Sequence, residues 1–252
     1  MKARETPIGE IMPYTTRRER CPLGQVETWI FDLDNTLYPA SCRLFDQVQR
    51  RMTEFICARL EVTAEAAAEL RRRYFREHGT TLRGLMTRDD IDPHEFLAFV
   101  HDIDLSCVPP DPALGAALQQ LDGRKIVHTN GSVRHAERLL DHLGLSDSFC
   151  GIIDIVAAEF DPKPALAGYH LLLRRHAVAA RSALMIEDIA RNLAPAAELG
   201  MTTAWVRSGA DWAAAEADSD YIHHVVDDLA GFLAAAAALQ NREQRRNGEQ
   251  SP

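Results

Sequence analysis

The chain has 252 residues, 46 % of them apolar, and a formal charge of −9 from 28 Lys+Arg against 37 Asp+Glu. That length supports one good core, or a core with a small accessory domain, and an acidic balance without a Lys/Arg stripe excludes a nucleic-acid backbone as partner. No run approaches the ~20 apolar residues of a membrane span and no apolar leader opens the chain, so neither a membrane segment nor a signal peptide is expected.

Cys21, Cys42, Cys57, Cys107 and Cys150 are scattered, without metal-ligand spacing, which suits a reduced, cytoplasmic setting. Residues 1–24 are polar and broken by Pro7, Pro13 and Pro22, and are expected to be flexible. A strand follows over 26–33. Its run Thr28-Trp29-Ile30-Phe31 has the continuous apolar character of a strand buried on both faces of a parallel sheet. It ends in two carboxylates, Asp32 and Asp34. Residues i and i+2 of a strand share a face, and open parallel sheets place ligands at their carboxyl ends. One acid there can attack while the other exchanges protons. A solvated strand-to-turn junction would use the same residue types, since Asp, Asn and Thr favour turns; the buried run before it favours a site.

A long helical stretch, about 42–121, comes next. Helices are expected over Cys42–Leu60, over Ala64–His78 and from Asp92-Pro93 onward. Gly79-Thr80-Thr81 and Gly84 break the middle, and Val108-Pro109-Pro110-Asp111-Pro112 forms a stiff hinge. Strands then alternate with helices: Arg124–His128, Ile152–Val156, Ala183–Ile186, Thr203–Val206 and Tyr221–Val225. The alternation predicts an α/β fold with a doubly wound, Rossmann-like parallel sheet. The first strand needs partners, and they begin only at Arg124. Residues 40–110 are therefore expected to be an inserted helical cap on a core of 25–39 and 111–240. Residues 241–252 are charged, lack an apolar period and are expected to form a flexible tail.

Three later strand ends carry complementary groups. Thr129-Asn130-Gly131-Ser132 offers a hydroxyl and N–H groups before a helix, an oxyanion cradle that could equally be an ordinary N-cap. Lys163, between Pro162 and Pro164, sits on a restricted backbone and can neutralise charge on a transferring group, although a solvated turn would look the same. Glu187-Asp188, followed by Asn192, places two adjacent acids at the end of a buried strand, where a cation would relieve their repulsion. With Asp32 they form an oxygen donor set suited to Mg²⁺.

In this arrangement the sequence resembles the haloacid dehalogenase-like hydrolases, whose phosphatases carry DxDx(T/V), a Thr or Ser after the second strand, a Lys and a final acidic pair. The matching residues are Asp32-Leu33-Asp34-Asn35-Thr36, Thr129-Asn130, Lys163 and Glu187-Asp188, and the insertion resembles the family's type 1 cap. Asp34-Asn35-Thr36-Leu37-Tyr38-Pro39, His78–Leu85, Phe99-Val100-His101-Asp102 and Lys163-Pro164 with Tyr169 resemble the pyrimidine 5′-nucleotidase branch. Two positions depart from it. His128 stands where an aromatic usually precedes the Thr and is read as a core histidine rather than a site-lining one; Ile189 replaces a common Ser.

The resemblance implies a Mg²⁺-dependent hydrolase of a small phosphate monoester, with Asp32 as nucleophile and Asp34 as general acid/base. Thr129, the Asn130 N–H and Lys163 would bind phosphate. Asp32, the Asp34 backbone carbonyl and Asp188 would hold the metal, supported by Glu187 and Asn192. Thr80 and Thr81 are expected on the cap's underside. UMP or CMP is the expected substrate. A sugar phosphate, pyridoxal phosphate or a phosphomutase reaction are the alternatives. Dehalogenation would not need Asp34, and a phosphate-sensing module would not need all four of Asp32, Asp34, Lys163 and Asp188. Nothing in the sequence fixes an oligomeric state.

Overall fold

The structure, a computed structural model, describes residues 20–210 and 212–249. In chain order these form β1 (Thr28–Phe31), α1 (Leu44–Leu60), α2 (Ala64–His78), α3 (Thr81–Asp89), α4 (Pro93–Val100), α5 (Pro112–Gln120), β2 (Arg124–His128), α6 (Val133–Leu143), β3 (Gly151–Ile153), α7 (Leu166–Arg175), β4 (Ala183–Glu187), α8 (Ala194–Glu198), β5 (Thr202–Val206), β6 (His224–Val226) and α9 (Leu229–Glu249). The six strands make one sheet in the order β3-β2-β1-β4-β5-β6. Every pairing is parallel, so the fold is the expected α/β doubly wound sheet.

β1 is central, with Ile30 in register with Ile126 on one side and Met185 on the other. All four of its residues are buried. Trp29 and Phe31 join one apolar cluster with Leu114, Leu118, Leu233 and Ala236, and Ile30 joins a second with Tyr169, Leu172 and Leu193. The period of two thus feeds both faces of the sheet, each side chain contributing about 1.5–3 kcal/mol on full burial. The first cluster runs on into α1–α4 through Leu37, Leu44 and Phe96, so these helices share a core with the sheet.

Several expectations change. Gly84 does not break the chain but lies inside α3. A Cβ there would come within 2.3 Å of the Tyr74 ring, so glycine permits α3 to pack closely on α2. β3 ends at Ile153, not Val156, because Asp154 turns back to accept hydrogen bonds from Val133 N and Ala157 N, both 2.9 Å. β6 begins at His224 rather than Tyr221. Residues 221–223 are tied to β5 by side chains instead, with His223 Nδ1 accepting from Thr203 N at 3.0 Å.

The flexible tail expected over 241–252 is helical as far as Glu249. Gln25 Nε2 donates to Glu243 at 3.3 Å, and Gln244 Nε2 donates to Asp122. Of the N-terminal segment expected to be flexible, residues 1–19 lie outside the described residues; Cys21 N donates to Thr202 Oγ1 at 3.0 Å and Leu23–Gln25 form a 3₁₀ turn. No described helix is long and apolar enough to cross a membrane. The five cysteines are free thiols.

Candidate active site

The carboxyl ends of β1, β2 and β4 converge because all strands run the same way. β1 delivers Asp32, β4 delivers Glu187 with Asp188 just beyond it, and the turn between β3 and α7 brings Lys163 over the strand ends. Lys163 Nζ donates to Asp32 Oδ1 and to Glu187 Oε2, both at 2.6 Å, and to the His128 carbonyl at 2.8 Å. All three ammonium protons are therefore placed. The Lys163 main chain is itself held: its N–H donates to Asn130 Oδ1 at 2.8 Å, and the Lys163-Pro164 peptide is cis. Asn130 thus fixes the lysine through its side chain, a task the sequence did not suggest.

Asn192 Nδ2 donates to Glu187 Oε1 at 3.0 Å, which orients the carboxylate toward Lys163. Thr36 Oγ1 donates to Asp32 Oδ2 at 3.0 Å. Thr129 is buried and its hydroxyl accepts from Gly131 N at 2.9 Å, which shapes the turn leading into α6.

Asp34 belongs to a separate constellation. Its Oδ1 accepts from Tyr38 OH at 2.7 Å and lies 2.9 Å from His135 Nε2. His135 is buried on α6 and stacks on His101, with ring centroids 4.3 Å apart and planes 12° from parallel. His101 Nδ1 lies 3.0 Å from Ser132 Oγ, the N-cap of α6. Sequence reasoning missed His135. Its only signal is a histidine one turn into the helix after Thr129-Asn130, which does not reveal its partner.

The electrostatics follow from this division. Burial, then Glu187, raises the Asp32 carboxyl, and Lys163 opposes the rise only in part. Burial likewise raises Asp188 well above the carboxylate range, with Asp32 and Glu187 adding to it. Asp34 goes the other way: burial pushes it up, but the His135 and Tyr38 contacts prevail and bring it down to about 2. Burial and His135 lower His101 to about 3, and burial with Lys163 holds His128 neutral, well below its ordinary value. Asp32 and Glu187 raise Lys163 against its burial.

Asp32, Glu187 and Asp188 place one carboxylate oxygen each within 4.8 Å of one another, and this trio could hold a metal ion. Two observations fit a hard cation. Asp188 Oδ2 is buried without a hydrogen-bond partner, and the Lys163 ammonium pairs with Asp32 and Glu187 but not with Asp188. His128 is 2 % exposed and packs edge-on against Tyr169 at 4.8 Å between centroids, as expected of a core histidine.

These groups open on a cavity of about 630 Å³ between the strand ends and α1, α2 and α4. Thr80 and Thr81 both line it. Thr80, however, N-caps α3 by accepting from Arg83 N at 3.1 Å, and buried Thr81 donates to the Arg71 carbonyl at 3.3 Å, so both hydroxyls have structural tasks.

Residues 26–200 match a family described as haloacid dehalogenase-like hydrolase. A curated relative from Saccharomyces cerevisiae strain S288c, phosphate metabolism protein 8, is 30 % identical over 138 residues, which are 50 % of this chain and 42 % of that protein. The chain thus spans less than half the length of that relative. Among solved structures, a 2-haloacid dehalogenase from Pseudomonas syringae pv. Tomato DC3000 superposes with a TM-score of 0.53 at 22 % identity, over 86 % of this chain and 99 % of its own. A phosphatase from Thermococcus onnurineus superposes with a TM-score of 0.56 at 16 % identity, over 82 % and 96 %. At those identities the likeness is one of fold.

Proposed function

The chain belongs to the haloacid dehalogenase-like hydrolases, and from that membership we propose that it hydrolyses a small phosphate monoester through an aspartyl-phosphate on Asp32. One observation carries the reading: two carboxylates at the end of one strand are held in different environments, Asp32 by Lys163 and Asp34 by His135 and Tyr38. Neighbouring acids with divergent environments divide nucleophile from proton carrier.

Asp32 attacks phosphorus, the P–O bond to the leaving group breaks, and the departing alkoxide takes a proton from Asp34. In the second step Asp34 removes a proton from water, the water oxygen attacks phosphorus, and Asp32 is released. The lowered pKa of Asp34 keeps it an unprotonated carboxylate at rest, the form that accepts the proton of water. The negative charge of a bound phosphate raises its proton affinity and lets Asp34 carry the proton needed in the first step. Proton transfer of this kind contributes roughly 10²–10⁴-fold. Thr129, the Asn130 N–H and Lys163 bind the phosphoryl oxygens, the electrostatic work that dominates phosphoryl transfer.

Asp32, Asp188 and the Asp34 main-chain carbonyl would hold Mg²⁺, with Glu187 and Asn192 fixing the acidic pair. When bound, Mg²⁺ supplies the positive charge that lets an anionic nucleophile meet an anionic phosphate. A carbon–halogen bond leaves without a proton, so dehalogenation would give Asp34 and its two supports no task.

Residues 40–110 act as a type 1 cap that excludes water and selects the leaving group, with Thr80 and Thr81 facing it. The substrate is a pyrimidine 5′-nucleotide, UMP or CMP, in the cytoplasm. The segments resembling that nucleotidase branch support this: Tyr38 braces Asp34, and His101 at the end of Phe99–His101 stacks on His135. The test is phosphate release from pyrimidine and purine monophosphates, sugar phosphates and pyridoxal phosphate, with and without Mg²⁺. A preference for UMP and CMP supports the nucleotidase reading. Equal turnover of all classes, or a preferred sugar or pyridoxal phosphate, overturns the pyrimidine assignment and leaves the phosphatase one.

A further inference from the structure

The cavity has a second charged wall that catalysis does not use. On α2, Arg71, Arg72, Phe75 and Arg76 all line it, at the i, i+1, i+4, i+5 spacing of one helix face. Glu69 compensates two of these cations, lying 2.8 Å from Arg72 and 3.5 Å from Arg76. Arg71 has no carboxylate partner among the described residues, and its Nε is buried without a hydrogen bond. Arg191, from the turn after β4, lines the same cavity and likewise has a buried, unbonded Nε. Burial, then Arg72, lowers the Arg71 guanidinium from its ordinary value, as expected of a cation lacking a counter-charge.

A buried guanidinium N–H without an acceptor is costly, and a planar fork of N–H donors is matched by a carboxylate or phosphate. Aromatic surface adjoins the pair. The Arg191 guanidinium lies 4.9 Å from the Phe75 ring centroid, and Phe75 meets Trp212 edge-on at 5.7 Å. The cavity therefore offers aromatic surface beside two guanidinium groups whose Nε atoms have no hydrogen bond among the described residues, while its other wall carries Asp32, Asp34, Glu187 and Asp188.

We propose that Arg71 and Arg191 form a second oxyanion subsite, so that the preferred monoester carries, besides the phosphate it loses, a further carboxylate or phosphate on a leaving group with a flat ring. This rests on the phosphatase reading alone and departs from UMP and CMP, which carry no second anion, toward a doubly anionic monoester. Phe75 and Trp212 receive the ring, and the two guanidinium groups fix its orientation through the second anion.

Matched pairs isolate the added anion. Orotidine 5′-monophosphate is UMP with a ring carboxylate, and uridine 3′,5′-bisphosphate is UMP with a sugar phosphate. Dissociation constants of all three are measured by calorimetry on the Asp32→Asn protein, with and without Arg71→Met and Arg191→Met together, and thermal melts verify folding. At least one doubly anionic ligand should bind tenfold or more tighter than UMP, and that ratio should fall toward one in the arginine variant. Which of the two ligands gains identifies carboxylate or phosphate as the second group. A ratio near one for both ligands, or a ratio unchanged by the arginine substitutions, overturns the subsite. Because binding is read without turnover, a wild-type protein that releases no phosphate from any monoester defeats the phosphatase reading separately. If Arg71→Met with Arg191→Met does not fold, Arg71→Gln and Arg191→Gln remove the charge while keeping a polar side chain, and the same loss of ratio is expected.

Discussion

His135 Nε2 lies 2.9 Å from Asp34 Oδ1, joining residues 101 positions apart in the chain. The contact sets the direction of the Asp34 carboxylate from α6, and Tyr38 holds the same oxygen from the turn after β1. His135→Leu should therefore act through Asp34. Turnover of alkyl monoesters should fall about tenfold or more, a part of what general acid–base catalysis supplies. For p-nitrophenyl phosphate, whose leaving group departs without a proton, kcat/KM, which reports formation of the intermediate, should fall far less than kcat/KM for alkyl monoesters. Equal losses on both substrates would show that His135 acts only through the fold.

The buried trio of Asp32, Glu187 and Asp188 predicts a metal effect that needs no turnover. Mg²⁺ at a hundred times its dissociation constant should add about 2.7 kcal/mol to the unfolding free energy. Asp188→Asn should abolish most of that gain. The metal-free variant should be at least as stable as metal-free wild type at pH 7. The sign follows from Asp188 holding its proton more tightly when folded than when unfolded, so stability falls as pH rises from about 4 toward the folded value. Chemical denaturation with and without Mg²⁺ reads both effects. Equal Mg²⁺ stabilisation of wild type and variant would remove Asp188 from the metal site.

The elements that could be read from the sequence are those whose signal is contiguous. Trp29-Ile30-Phe31 declares a buried central strand, and Thr129 and Glu187-Asp188 stand at the ends of short strands, so their convergence with Asp32 follows from parallel strands, whereas Lys163, beyond β3, is marked only by its flanking prolines. What depends on contacts across the chain was hidden. His135 finds Asp34, Asn130 finds the Lys163 main chain, and Gly84 is needed only because Tyr74 lies against it. The helical stretch 241–249 lacks an apolar period and is held by polar contacts to Gln25 and Asp122, which periodicity does not register.

His128 predicts a pH dependence of stability. It is buried and held neutral in the fold, whereas the unfolded chain protonates it near its ordinary value of about 6.5. Below that pH the unfolded state binds the extra proton, so stability falls with pH by up to about 1.4 kcal/mol per unit, and above it the contribution is fully present. Replacing His128 by Phe should flatten the stability profile between pH 7 and 5. The slope, rather than the level, is the readout, since the larger ring also changes packing against Tyr169. Parallel profiles for the two proteins would mean that His128 titrates alike in both states.

The most direct test of the account is the covalent intermediate. Asp34→Asn protein mixed with p-nitrophenyl phosphate and Mg²⁺, quenched in acid and digested, should yield the peptide containing Asp32 carrying one phosphoryl group, because that substrate needs no proton for the first step while hydrolysis of the intermediate still needs Asp34. The added mass should vanish with Asp32→Asn. Phosphate release by Asp32→Asn at near the wild-type rate, or a phosphoryl group on another residue, would contradict Asp32 as the nucleophile.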